Sequence, residues 1–132
     1  MVVTEYACPM WVPIVENNEI DSPGAAYFIE KEVNALLKKD PQIDTVVLGC
    51  THYPLLYKKI RQFLPENVNI VCQGEIVAES LADYLKRHPE IESKLCTTAS
   101  MTYLTTEHTE KFDSLASLFL GKPINSQTIS LP

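Results

Sequence analysis

Ile43-Asp44-Thr45-Val46-Val47-Leu48 runs directly into Gly49-Cys50-Thr51-His52-Tyr53-Pro54, and Leu55, Leu56, Ile60 and Phe63 come next at helical spacing. A short β-branched run suits a parallel strand buried in a sheet. A proline at the helix start and an apolar pattern of three and four suit an amphipathic helix. Strand, turn and helix in this order make half of a βαβ unit, and the reading of the whole chain turns on it.

The pattern continues on both sides. Upstream, Ser22 is a candidate N-cap and Pro23 a first helical residue. Ala25, Ile29, Val33, Leu36 and Leu37 form one apolar face, and Asp40-Pro41 ends the helix. Before it, residues 2–6 are β-prone, and Cys8-Pro9-Met10-Trp11-Val12-Pro13 is expected to be irregular because of its two prolines. Downstream, residues 68–71 predict a strand and Gly74 a turn. Ile76, Val77, Leu81, Tyr84 and Leu85 mark a third helix that stops at His88-Pro89. Residues 95–98 and 102–105 predict short strands, as a hairpin or as one bent strand. A fourth helix over 109–120 stops at Gly121, and residues 127–131 predict a last strand. Alternating strands and helices indicate an α/β fold with a mainly parallel sheet. Sites in such sheets lie beyond the carboxyl ends of strands, which points to Cys50.

Composition narrows the function. The 132 residues suffice for one small domain or part of a larger one, and 45% are hydrophobic. A net charge of −6 without a basic stripe argues against a nucleic-acid partner. No apolar run reaches the roughly 18 residues of a membrane span, and residues 1–6 do not resemble a signal peptide, so a cytoplasmic location is expected. The four cysteines, at 8, 50, 72 and 96, form no Cys-x-x-Cys pair, which disfavours a zinc ribbon or a thioredoxin-like motif. In a reducing compartment most would be small buried hydrophobes.

Cys50 requires a different account. Gly49 would allow a tight turn and close approach of a ligand. A cysteine between a strand end and a helix start lies near unpaired amides that favour a thiolate. His52 could donate to the sulfur or shuttle its proton, and Thr51 offers a hydroxyl and an amide to a substrate carboxylate. A buried cysteine beside a surface histidine is the ordinary content of such a turn. The grouping of Cys, Thr, His and Tyr-Pro at one strand end favours chemistry instead. Thiol acid/base catalysis, a nucleophilic cysteine and a metal site all remain open at this level, although spacing fixes no third metal ligand.

The run Leu48-Gly49-Cys50-Thr51-His52-Tyr53-Pro54-Leu55-Leu56 resembles the second cysteine motif of glutamate racemases. Ala7-Cys8-Pro9-Met10-Trp11-Val12-Pro13-Ile14-Val15-Glu16 is similar to that family's Cys-Pro-x-x-Val-Pro-x-Val-Glu segment, at a fitting distance from Cys50, and residues 112–121 resemble its last helix. His52 separates this pattern from aspartate racemases, which usually carry glutamate there. The resemblance implies a two-domain α/β fold and a two-base racemisation of glutamate without metal or other cofactor, supplying D-glutamate for peptidoglycan. It implies that Cys50 is one acid/base, that His52 assists it, and that Thr51 and His52 contact substrate. It places Glu16 near the substrate ammonium and gives Cys8 a structural role.

The family's other catalytic cysteine sits in an Ala-Cys-Asn-Thr-like motif in an N-terminal half, and this sequence contains no such motif. Cys72-Gln73-Gly74-Glu75 also departs from relatives that carry an acidic residue or serine before the glycine. The expectation is therefore a C-terminal half, inactive alone and homo-oligomeric when complete. Residues 1–75 would belong to the second domain and residues 76–132 would return to the first. Two other readings stand beside it. One is an aspartate racemase or another thiol enzyme of the superfamily. The other is a non-catalytic glutamate-binding module.

Overall fold

The computed structural model describes residues 2–131. The fold is α/β, and its contacts divide it into two compact units, Met1–Tyr84 and Leu85–Pro132.

The first unit begins with α1 (Trp11–Glu16) and α2 (Pro23–Lys39). Strand β1 (Thr45–Val47) then leads through a 3-10 turn over Tyr53–Leu56 into α3 (Tyr57–Phe63), followed by β2 (Asn69–Val71). Strands β1 and β2 are parallel with Val46 opposite Ile70, and Leu48 N–H extends the ladder to the Val71 carbonyl at 3.0 Å. The expected βαβ crossover is therefore present. Ser22 caps α2 by accepting from Ala25 N–H at 3.1 Å, with Pro23 at the first helical position. The core lies among α1, α2, the 3-10 turn and α3, where Val15, Ala25, Ile29, Leu56 and Ile60 are fully buried. Strand β1 is covered less than a doubly packed strand would be: Val47 is 58% exposed, while Leu48, one residue on, is 2% exposed.

Three local expectations are corrected. Residues 11–16 are helical although the prolines there suggested a loop. Pro13 stands in the first turn of α1, where its missing N–H would have had no helical partner. Residues 2–6 form no strand. Residues 95–98 do not pair either, so no hairpin forms before β3.

Helix α4 (Gln73–Arg87) takes Gly74 into its first turn and spans the boundary between the units. A short α5 (Pro89–Glu92) comes after it. In the second unit, β3 (Tyr103–Thr105), α6 (Thr109–Leu120) and β4 (Ser126–Thr128) make a second crossover with parallel strands. Gly121, at φ 64°, ends α6 in the left-handed conformation that favours glycine. Asp113 accepts from Ser126 N–H at 3.0 Å and Ser117 from Ile124 N–H at 3.1 Å, which ties α6 to the approach of β4.

One side chain holds the path from α3 to β2. Arg61 donates to the carbonyls of Val68 at 2.5 Å, Leu64 at 2.8 Å and Pro65, tying the end of α3 to the approach of β2. Replacing Arg61 with alanine is expected to destabilise the chain by about 2 kcal/mol, the scale of losing charge-assisted hydrogen bonds. Urea unfolding monitored by far-UV circular dichroism checks this, and a lysine at the same position should recover only part of the loss.

Candidate active site

The turn after β1 gathers the predicted residues. Leu48 is anchored in the core, and Cys50 stands two residues later at the carboxyl end of the strand pair. Tyr53 N–H donates to the Cys50 carbonyl at 3.2 Å, and Leu55 N–H to the His52 carbonyl at 3.1 Å, which closes the turn. Gly49 lacks a positive φ, and a Cβ there would meet no atom within 4 Å. The turn itself does not demand glycine, contrary to expectation. The open space above it leaves room for a ligand. Cys50 leads into a 3-10 turn and then the seven-residue α3, so the expected helix N-terminus beside the sulfur is a few loosely aligned amides.

Cys50 Sγ lies 3.8 Å from His52 Nδ1, and the Thr51 hydroxyl lies 3.4 Å from the same nitrogen. The other edge of the imidazole meets α1, where Glu16 Oε1 lies 3.3 Å from His52 Nε2. The Glu16 side chain is half exposed, while that of His52 is 21% exposed. Cys50, His52 and Glu16 thus form a line of thiol, imidazole and carboxylate, drawn from the β1 turn and the last residue of α1. Glu16 was expected beside a substrate ammonium; its carboxylate is turned to the histidine. A carboxylate accepting from Nε2–H leaves Nδ1 as the acceptor for the thiol proton, and the tautomer is inferred from the hydrogen-bond pattern.

Residues outside the predicted set complete the arrangement. The Tyr53 hydroxyl donates to the Cys8 carbonyl at 3.3 Å, and the Tyr53 ring meets Trp11 edge-on with centroids 4.9 Å apart. Burial, with the Cys8 and Cys50 thiols beside it, pushes the Tyr53 phenol up, so it stays a neutral donor. The only sequence signal for Tyr53 was its place beside His52; its contact crosses 45 residues. Cys8 is a poor base: burial, and then the Glu32 carboxylate, push its thiol up to about 12.

Among the described residues, no group of three or more His, Cys, Asp or Glu side chains is placed to hold a metal ion. No helix among them is long and apolar enough to cross a membrane.

No family model matches the chain. Among curated proteins it is similar to a glutamate racemase of Roseobacter denitrificans, 38% identical over 122 residues, covering 92% of this chain and 43% of that protein. A glutamate racemase of Aquifex aeolicus is 33% identical over 130 residues, covering 97% of this chain and 46% of that protein. Among solved structures, the glutamate racemase isoform RacE1 of Bacillus anthracis superposes with a TM-score of 0.78 at 32% identity, over 96% of this chain and 46% of its own. The Thermus thermophilus glutamate racemase, in complex with β-chloro-D-alanine, gives a TM-score of 0.75 at 29% identity, over 96% and 47%. The chain therefore spans about half the length of the curated relatives it matches.

Proposed function

We propose that this chain is one half of a glutamate racemase and carries one of its two acid/base groups, Cys50. The carrying observation is the line from Cys50 through His52 to Glu16 at the carboxyl end of β1, in a chain whose relatives bear that name. His52 Nδ1 takes the thiol proton, with the Glu16 carboxylate stabilising the imidazolium. The Cys50 thiolate then removes the α-proton of one glutamate enantiomer. A second thiol, contributed by the other half of the enzyme, delivers a proton to the opposite face of the carbanion. Each group must work both as acid and as base because the reaction is reversible. A thiol titrating near about 8.5 reaches either state with modest tuning. In this reading the Thr51 hydroxyl, which is exposed, binds a substrate carboxylate, and no cofactor is required.

The same reading assigns residues 1–75 to the domain that holds the turn and residues 76–132 to a segment completing the other domain. Helix α4 supports this. No residue of it is buried, and Ile76, Val77 and Leu81 are each more than half exposed. Its charged residues Glu75, Glu79, Asp83, Lys86 and Arg87 fall within about a third of the helix circumference, and most of the remainder is apolar or small. A helix of that kind belongs inside a larger assembly. The proposed enzyme is cytoplasmic, homo-oligomeric and feeds peptidoglycan synthesis.

The test is circular dichroism of amino acids incubated with the full-length gene product. L-Glutamate should lose its optical signal at an enzymatic rate while L-aspartate keeps its own. Loss with aspartate alone would transfer the site to another amino-acid racemase. Glutamate binding without loss would make the chain a binding module.

A further inference from the structure

The geometry that sets His52 depends on α1, and α1 is poorly equipped to orient itself. It has six residues and no side-chain N-cap. Helices this short owe their stability to packing. The Glu16–His52 contact cannot supply it, because Glu16 is half exposed and such a pair holds its partners weakly. Ile14 and Val15 bury α1 in the core, and a directional contact is what sets its register against the β1 turn.

The Cys8 carbonyl is where the two meet. It accepts from Trp11 N–H at 3.2 Å and from the Tyr53 hydroxyl at 3.3 Å. Trp11, 4% exposed, also packs edge-on against the Tyr53 ring at an interplanar angle of 68°. Trp11 and Glu16 are the first and last residues of α1, and Tyr53 is bonded directly to His52. Fixing the Trp11 end against Tyr53 therefore fixes the Glu16 end against His52. Cys8, Cys50 and Glu32 are ionisable groups beside Tyr53, and Cys50 from its own turn and Glu16 from α1 are among those placed against the imidazole.

We infer that Tyr53 is a positioning residue: its hydroxyl on the Cys8 carbonyl and its ring on Trp11 hold α1 so that Glu16 accepts from His52 Nε2–H, leaving Nδ1 to face Cys50 as a proton acceptor. The catalytic consequence rests on the racemase reading; the geometric claim does not.

Tyr53→Phe keeps the ring and removes only the hydroxyl, so the Trp11 contact and the fold persist. Nitrogen-15 NMR of the imidazoles in the full chain, at a pH where histidine is neutral, reads the tautomer of His52 directly. Tyr53→Phe should lower the ratio of Nε2–H to Nδ1–H forms about threefold, the scale of weakening one hydrogen bond. In a Glu16→Ala background the same substitution should change nothing further, because the carboxylate through which Tyr53 acts is gone. An unchanged ratio in Tyr53→Phe, or an equal fall in both backgrounds, overturns the inference. In the full-length gene product, Tyr53→Phe should lower kcat for glutamate with little change in KM. A tautomer shift in an enzyme that does not racemise glutamate would keep the positioning role and reject the racemase reading.

Discussion

Cys50→Ser is expected to reduce glutamate racemisation by the full-length enzyme by about 10³-fold or more in both directions, the scale of losing a positioned general base. Serine keeps the size of the side chain, but its hydroxyl is far too weak an acid to supply a base at neutral pH. His52, 3.8 Å from the sulfur, cannot make up that difference by hydrogen bonding alone. Both directions fail because each uses Cys50 once, as base or as acid. Partial reactions should divide. The two enantiomers, held by the same carboxylate and ammonium contacts, point their α-hydrogens to opposite sides, so each base meets one of them. An N-hydroxy analogue of glutamate loses water after α-proton removal and needs one base only. With Cys50 assigned to L-glutamate, Cys50→Ser should still process the D-analogue and fail on the L-analogue. Equal loss on both analogues would remove Cys50 from a two-base mechanism. The reverse preference would invert the stereochemical assignment and leave the mechanism standing.

The parts of this site differ in how visible they were in the sequence. Cys50, Thr51 and His52 are contiguous, and the strand before them is marked by its β-branched run, so their gathering at a strand end could be read from local pattern. Glu16 lies 34 positions upstream of Cys50 and came forward only through the resemblance of its segment. Its partner, His52, was not foreseen, because the meeting depends on how α1 packs. Helix α1 itself was hidden by Pro9 and Pro13. Proline argues against helix in general but is tolerated in the first turn, and only the register of the helix start tells which case applies. Residues 2–6 show the opposite error: β-propensity without a partner strand makes no sheet. Crossover connections were legible in both units, because apolar periodicity switches between strand and helix at each turn. The exposure of α4 was not, since a periodic pattern shows that a helix has an apolar face and is silent on what covers it.

The 132-residue chain alone is expected not to racemise glutamate at any enzymatic rate. Inversion requires a proton to leave one face of the α-carbon and another to arrive at the opposite face. Cys50 can serve one face. Cys72 stands directly after β2, the parallel neighbour of β1, so both cysteines rise from one sheet edge and would approach a ligand from the same side. Cys8, whose thiol burial and the Glu32 carboxylate push up to about 12, stays protonated near neutrality and supplies no base. Cys96 has a thiol lowered by hydrogen bonds from Thr98, but it stands exposed on the loop before β3, outside the turn that gathers Cys50, Thr51 and His52. With only one face served, a carbanion formed by Cys50 takes back its proton where it lost it, and configuration is retained. Circular dichroism of L-glutamate over hours with the pure chain should therefore stay flat. Co-expression with a polypeptide carrying the other half of a glutamate racemase should start the decay, and a cysteine-to-serine change in that half should stop it again. A decay with the isolated chain would mean that its own residues serve both faces, and the half-enzyme reading would fall.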